Sequence, residues 1–480
     1  MSILRPNQHL IARLSEVQVF QQLEASHKSE FIAIYGRRRI GKTYLVHEYF
    51  KTKTFFFEFN GTKDTPTKIQ IKNFVNELQH VFKVVIPITP TNWSEAFNLL
   101  TDIIRDTKIS DQKKVIFFDE LPWLASRKSG FLEALDYFWN SFLSKSKDSI
   151  LIVCGSSANW MISQVINNRG GLHNRITRAP LAMSPFTLLE TKQYLQTKKI
   201  DLTAEQIIEL YMVTGGVAYY LDQYRKGESA AQFINRSFFA KDGDLYNEFD
   251  RLFRSLFEHY EIHIDIVKIL AKSTHGLSQG EIVDKLKISS GGTLTKTLTE
   301  LEKSGFIHFT PQIGRKKKEG TYRLIDEYTL FYLTWIENLG RTFQDPNYWQ
   351  KQIGKPRYNT WLGQAFEALC FKHIEVLKTV LGISALTTFT YGFRNKIAQI
   401  DLVIERSDRT INLCEMKYTK SPFEMTESEA SRIKIRKQEL LKKLKTKVQV
   451  FTTLVTLFPA KKNKHYLNVI DNELDFEGLV

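Results

Sequence analysis

Between Phe31 and Leu45 the chain reads Phe-Ile-Ala-Ile-Tyr-Gly-Arg-Arg-Arg-Ile-Gly-Lys-Thr-Tyr-Leu. No other stretch restricts the fold so strongly. The apolar run Phe31 to Tyr35 is short and reads as a buried parallel strand. Leu45, Val46, Tyr49 and Phe50 recur at helical spacing just beyond it. Gly36, Arg37, Arg38, Arg39, Ile40 and Gly41 lie between strand and helix, followed by Lys42 and Thr43. A loop of this length, bounded by glycines and opening a helix, turns backbone N–H groups and the helix dipole onto an anion. In the spacing G-x-x-x-x-G-K-T, Lys42 is expected to face the β- and γ-phosphates of a nucleoside triphosphate. The Thr43 hydroxyl is expected to ligate Mg²⁺.

A second signal lies in Lys114-Val-Ile-Phe-Phe-Asp-Glu-Leu-Pro-Trp123. An apolar strand carries Asp119 to its C-terminal tip, where a Mg²⁺ ligand is required, and Glu120 follows as a candidate general base. The strand Ser149 to Gly155 ends in Ser156, Ser157 and Asn159; Ser156 can contact the γ-phosphate or simply cap a turn. In the stretch Arg169 to Arg178, either Arg175 or Arg178 can act as an arginine finger, with Arg175 placed first. Lys53 to Phe59 reads as a strand, and residues 67–82 and 92–107 as amphipathic helices. Arg13 and Glu16 fall on a leading helix, either beside the base of the nucleotide or on a solvated face.

The segments Tyr35-Gly-Arg-Arg-Arg-Ile-Gly-Lys-Thr43, Phe117-Phe-Asp-Glu-Leu-Pro-Trp-Leu124, Cys154-Gly-Ser-Ser157 and Met183-Ser-Pro-Phe186 together resemble the archaeal-type ATPase family. That family belongs to the AAA+-like branch that includes the STAND signalling ATPases. The resemblance covers roughly residues 10–240 and implies a five-stranded parallel core followed by a helical lid. Val213-Thr-Gly-Gly-Val-Ala-Tyr-Tyr-Leu221 resembles the family's lid motif, with Ala218 where a proline is usual.

Residues 261–325 change to short helices. Ile264, Ile266, Val267 and Leu270 make one apolar face. Ser278 and Glu281 have the spacing of a capping box. A third helix from Ser290 would bury Leu294, Leu298 and Leu301 and expose Thr295, Lys296 and Thr299. Phe306 to Phe309 and Thr321 to Leu324 read as a hairpin whose tip, Gly314 to Gly320, carries Arg315, Lys316, Lys317 and Lys318. This order is that of a winged helix-turn-helix, with the third helix in a DNA groove and the tip on phosphates. The same module also serves as a rigid connector. Leu324 to Trp335 resembles the opening of an uncharacterised domain commonly fused to archaeal-type ATPases, and residues 341–358 read as a linker.

The last part holds a helix with Glu367, a strand with Asp401 and a strand in which Glu415 and Lys417 share a face. A basic helix from Ser431 to Lys447 and the strand from Val448 follow. In this order they resemble the PD-(D/E)xK nuclease fold over about residues 360–457. The resemblance implies that Asp401 and Glu415 bind a second divalent cation, Mg²⁺ or Mn²⁺, and that Lys417 orients water.

The expected architecture is therefore α/β: a phosphate-loop NTPase core with a parallel sheet (1–195), a helical lid (196–258), a winged helix (259–335), a linker (336–358) and a restriction-nuclease-like domain (359–480). The net charge of +15 favours a polyanionic partner, most simply DNA. Three scattered cysteines and the lack of any long apolar run point to a cytoplasmic protein with reduced thiols and no membrane span. A second copy, docked through the ATPase core, is a further expected partner. The function expected is ATP-regulated DNA processing with metal-dependent cleavage. The alternatives are an ATP-dependent switch or scaffold with a non-catalytic C-terminal domain, and a protein-remodelling motor.

Overall fold

The computed structural model describes residues 8–107, 112–168, 171–316, 318–339, 343, 345, 347–444 and 448–476. Expectations that rest on Arg169, Lys317 or the stretch from Lys445 to Lys447 lie outside these residues. Tertiary contacts divide the chain once, into Met1–Pro185 and Phe186–Val480.

In the first unit the principal elements are α1 (Leu14–Glu24), β1 (Glu30–Tyr35), α2 (Lys42–Phe50), β2 (Phe56–Asn60), α3 (Thr67–Phe82), α4 (Trp93–Asp106), β3 (Lys114–Asp119), α5 (Phe131–Phe138), β4 (Ser149–Gly155) and β5 (Leu181–Ala182). The strands form one sheet in the order β2-β3-β4-β1-β5. Every pairing is parallel. This is the five-stranded parallel core that the family resemblance implies. β3 and β4 are buried along their whole length, which explains why their sequences are continuously apolar rather than alternating. Helices cover both faces. Phe74, Trp93, Phe97, Phe118, Phe131 and Phe138 pack on one side, and Phe20, Ile32, Ile34, Leu45 and Phe50 on the other. The strand order places β4 between β1 and β3. The loops leaving the C-terminal ends of β1 and β3 therefore open on one edge, where ligands bind in open α/β sheets.

The second unit opens with α6 (Leu188–Thr197), α7 (Ala204–Thr214), α8 (Ala218–Asp222) and α9 (Glu248–Leu256). Gly216, at φ +69°, lets α7 turn into α8, and a Cβ there would lie 2.1 Å from the Phe186 carbonyl oxygen. The Phe186 N–H donates to the Gly216 carbonyl at 2.8 Å, so two separated family motifs meet. Ala218 is the first residue of α8, a position where proline and alanine both fit, so the departure from the usual proline leaves the helix start intact.

Three helices follow, α10 (Tyr260–Ala271), α11 (Gln279–Leu286) and α12 (Gly292–Lys303), then β6 (Ile307–Pro311) and β7 (Gly320–Leu324). Ser278 and Glu281 form the capping box at α11. Leu277 exchanges two backbone hydrogen bonds with Tyr322, 2.9 and 2.8 Å, an isolated antiparallel bridge beside the hairpin. Along α12, Leu294, Leu298 and Leu301 are buried and Thr295 and Lys296 are exposed, with Thr297 also turned inward.

Helix α13 (Glu327–Trp335) leads into the stretch expected to be a linker. The structure differs here. Trp349 is fully buried, and its backbone N–H donates to the Asn235 side chain at 2.8 Å. It also packs against Trp335 and Trp361. An indole offers a large apolar area, so this segment is drawn into the core despite the nearby glycine and prolines.

The remainder comprises α14 (Pro356–Lys372), α15 (Ile374–Val380), β8 (Thr388–Arg394), β9 (Gln399–Arg406), β10 (Thr410–Lys417), α16 (Glu427–Lys443), β11 (Gln449–Thr456) and β12 (Asn472–Asp475). The strands are ordered β12-β11-β10-β9-β8. β10, β11 and β12 run parallel, whereas β9 is antiparallel to both of its neighbours. The hairpin β6–β7 is tied to this sheet: the Ile313 N–H donates to the Gly392 carbonyl at 3.0 Å, and Ile313 is buried with Phe393 and Leu440.

Candidate functional site

The loop after β1 is held from three directions. Gly36 has φ +150°, and a Cβ there would lie 2.2 Å from the Met183 carbonyl oxygen, so only glycine fits. The Arg13 guanidinium donates to the Ile40 carbonyl at 3.0 Å and to the Ser184 carbonyl at 2.9 Å. Its ion pair with Glu16, 3.1 Å, is buried. Arg13 thus braces the loop; the solvated-face reading of Arg13 and Glu16 fails because both are buried. Lys42 is buried at the start of α2, and its Nζ donates to the carbonyls of Gly36 and Arg37, both at 2.9 Å. This places the ammonium over the loop. Arg37 is buried, whereas Arg38 and Arg39 are partly exposed and Ile40 packs into the core.

β3 delivers Asp119 to the same place. The Thr43 hydroxyl donates to Asp119 Oδ2, so the two residues expected to share Mg²⁺ are already side by side. A hydroxyl and a carboxylate are hard oxygen donors suited to that ion. The residues present fit it. Glu120 follows in the left-handed region, at φ +46°, a conformation costly for a non-glycine residue and common at functional sites. The turn aims its carboxylate at Ser156, which donates from its hydroxyl at 2.7 Å and from its backbone N–H at 3.2 Å. Ser156 therefore orients Glu120. Burial pushes the Glu120 carboxyl above its ordinary pKa, Lys42 opposes this, and Asp119 adds to the rise. A half-buried carboxylate with two fixed donors is shaped to accept a proton from water.

Neither arginine-finger candidate joins this group. Arg175 pairs with Asp136 of α5 at 2.9 Å. Arg178 pairs with Glu30 at 3.1 Å, at the opposite end of β1 from the loop. Each is paired with a carboxylate away from the phosphate loop.

In the second unit the four residues of the expected nuclease set do come together. Cys414 pairs with Leu402, so Glu415 and Asp401 are the next residues along the neighbouring strands β10 and β9. Glu367 reaches them from α14. Burial first and Asp401 next push its carboxyl up to about 7, while Glu415 and Lys417 also lie within electrostatic reach. Lys417 Nζ sits 3.0 Å from Glu415.

Both strand carboxylates expected to hold a cation already have guanidinium partners. Arg323, from β7, pairs with Asp401 and lies 3.4 Å from Glu367. It is fixed by the Thr274 carbonyl at 3.2 Å and by the Phe371 ring at 5.0 Å. Arg436, from α16, pairs with Glu415. Burial raises the Asp401 carboxyl, but Arg323 and the Gln399 hydrogen bond outweigh it and hold the group below its ordinary value. Among the described residues no three His, Cys, Asp or Glu side chains are grouped to hold a metal ion. With guanidinium groups already on both strand carboxylates, the residues as placed do not fit a divalent cation.

Sequence reasoning missed Arg323 and Arg436. The single visible signal was an arginine inside the hairpin strand Thr-Tyr-Arg-Leu, and nothing in the sequence pairs it with a carboxylate 78 positions away.

Residues 10–224 match the family described as an ATPase domain predominantly from Archaea. That span contains every residue of the first site, and the match supports ATP binding and hydrolysis there. An uncharacterized protein of Methanocaldococcus jannaschii, MJECL04, is 27% identical over 359 residues, covering 74% of this chain and 75% of that protein. The Walker-type ATPase PABY2304 of Pyrococcus abyssi gives a TM-score of 0.45 at 15% identity, over 69% of this chain and 98% of that one. The ORC2 protein of Aeropyrum pernix gives 0.39 at 12% identity, over 78% and 96%. Among the described residues no helix is long and apolar enough to cross a membrane.

Proposed function

We propose that this protein is an ATP-hydrolysing switch that engages DNA through its second unit. One observation carries the ATPase part of the reading: Thr43 touches Asp119 while the adjoining Glu120 is held by Ser156. In this reading Lys42 neutralises the β- and γ-phosphates, Thr43 and Asp119 hold Mg²⁺, and Glu120 takes the proton of the attacking water. Bound Mg²⁺ would supply charge neutralisation on the phosphate oxygens. Arg13 keeps the loop in shape, and Ser156 keeps the Glu120 carboxylate aimed.

DNA engagement is supported by the net charge of +15 and by the module formed by α10, α11, α12 and the β6–β7 hairpin. This order of elements is that of a winged helix. Exposed Thr295 and Lys296 on α12 and exposed Arg315, Lys316 and Lys318 on the hairpin are the groups it would present.

A second reading, DNA cleavage by the C-terminal sheet, is favoured by the meeting of Glu367, Asp401, Glu415 and Lys417. The pairing of Arg323 and Arg436 with the carboxylates weighs against it. One experiment separates the two. Single- and double-stranded DNA are incubated with the protein and Mg²⁺ or Mn²⁺, with and without ATP. The switch reading expects intact DNA and DNA-dependent ATP turnover. Cleavage that disappears in Asp401→Ala and Lys417→Ala would replace it with the second reading. Turnover stimulated by protein and indifferent to DNA would replace both with a remodelling motor.

A further inference from the structure

Two cavities of the second unit, about 830 and 280 Å³, share Gln312, Arg315, Arg394 and Asn395 and so form one continuous trough. Four elements far apart in sequence wall it: the start of α11, the β6–β7 turn, the β8–β9 turn and the end of α16. Six cations line it: Arg315, Lys318, Arg394, Lys396, Lys442 and Lys443. All six are exposed. Its three acids are already compensated. Glu281 lies 3.7 Å from Arg394, Glu319 4.0 Å from Arg315 and Glu439 2.6 Å from Lys442. Lys318, Lys396 and Lys443 have no ion-pair partner among the described residues. The trough is also preformed. The Gln312–Gly392 bridge fastens the hairpin to the sheet, and the Lys443 stem lies against Gly314.

We propose that this trough is a track for the phosphate backbone of duplex DNA, shared between the hairpin and the C-terminal sheet. The inference rests on the DNA-engaging reading and makes it specific. A free winged helix would grip DNA with its own tip; here the tip is bolted to the sheet, so Arg394 and Lys396 become part of the same grip. The lining is polar and cationic, which suits sugar and phosphate oxygens rather than stacked bases, so binding should be insensitive to sequence. An open, elongated, basic trough fits a polymer of regularly spaced anions better than a single small anion. His275, 4.0 Å from Asp401, is held below its ordinary pKa by burial first and then, against the opposing Asp401, by Arg323, Arg394 and Arg436 together.

The test is fluorescence anisotropy of the full chain with a fluorescein-labelled, mixed-sequence duplex, titrated in KCl. Two variants probe the trough. One is Arg394→Ala with Lys396→Ala, and the other is Lys396→Ala with Lys443→Ala, which breaks no ion pair. The control removes the same charge elsewhere, by Lys68→Ala with Lys72→Ala on exposed positions of α3. If each trough cation meets one phosphate, each double variant should flatten the log–log salt slope by about 1.8 and weaken binding roughly 60-fold at 0.1 M salt. The control should do neither. Wild-type binding with trough variants that behave like the control would overturn this inference alone. Absence of any duplex binding by the wild-type chain would instead bring down the DNA-engaging reading itself. A loss confined to phosphatidylserine vesicles, with duplex affinity unchanged, would reassign the trough to a membrane surface.

Discussion

At the scale of single residues, the nucleotide site separates binding from turnover. Lys42→Ala removes the charge that lies over the loop and should abolish ATP binding, read by fluorescent-nucleotide titration. Glu120→Gln should bind ATP normally, because the amide fills the same space. Its turnover should fall by roughly 10² to 10⁴, the usual loss of a general base. Ser156→Ala should keep binding and lose about tenfold in turnover, since one charge-assisted hydrogen bond to Glu120 disappears. Undiminished hydrolysis by Glu120→Gln would remove that residue from the reaction. Glu367 gives a pH prediction. Its folded pKa is raised, so the native state holds the proton more tightly than the unfolded chain does. Stability is then greatest below the unfolded carboxyl range and falls as pH rises toward about 7. Glu367→Gln should lose this slope and be the more stable protein above that pH, measured by urea midpoints. A variant that follows the wild-type pH dependence would show that Glu367 ionises normally.

At the scale of elements, the turn from α14 into α15 is a joint. His373 Nδ1 donates to the Leu369 carbonyl at 2.9 Å, and Nε2 accepts the Leu188 N–H of α6 at 3.3 Å. Only the neutral ring can do both. Burial accordingly pulls its pKa down to about 4. In the unfolded chain the ring takes up a proton near its ordinary value, so stability is complete at neutral pH and declines as pH falls through that value toward about 4. The loss at the acid end is about 3 kcal/mol. His373→Gln should be less stable at neutral pH and should lack this His373-dependent decline. An unchanged acid profile in the variant would place the titrating group elsewhere. Beside it, Lys372 Nζ reaches both the buried Glu327 and the Gly215 carbonyl, each at 2.8 Å. One helix end thus ties the lid motif to α13, while Glu367 at mid-helix faces the carboxylate set.

For the whole molecule, the two sites belong to different units of the chain. Asp401→Ala should therefore leave steady-state ATP hydrolysis unchanged, and coupled loss of activity would mean that the C-terminal sheet is required for turnover. A Mn²⁺ titration in the presence of a non-hydrolysable ATP analogue should show one site per chain, held with the nucleotide and lost in Lys42→Ala. A second site in the wild-type protein would show that Arg323 and Arg436 yield their carboxylates to a metal.

The first unit was legible because its signals are local. A phosphate loop is eight consecutive positions from Gly36 to Thr43, and β3 announces Asp119 by a continuous apolar run ending at that residue. The strand order was decided in three dimensions: it sets β4 between β1 and β3 and brings the ends of those two strands to one edge. The α12 face, by contrast, was legible, since a period of 3.6 fixes which leucines turn inward. The linker reading failed because glycine and proline are local marks, whereas the burial of Trp349 depends on Trp335 and Trp361 arriving from other helices. The carboxylate set shows the division most sharply. Strand pleat put Glu415 and Lys417 on one face, and residue order pointed to Glu367 and Asp401 as their companions. Only the tertiary structure could supply Arg323 and Arg436, because ion pairing acts through space and leaves no periodic trace along the chain. Sequence determined which groups carry the charge; packing decided which charges meet.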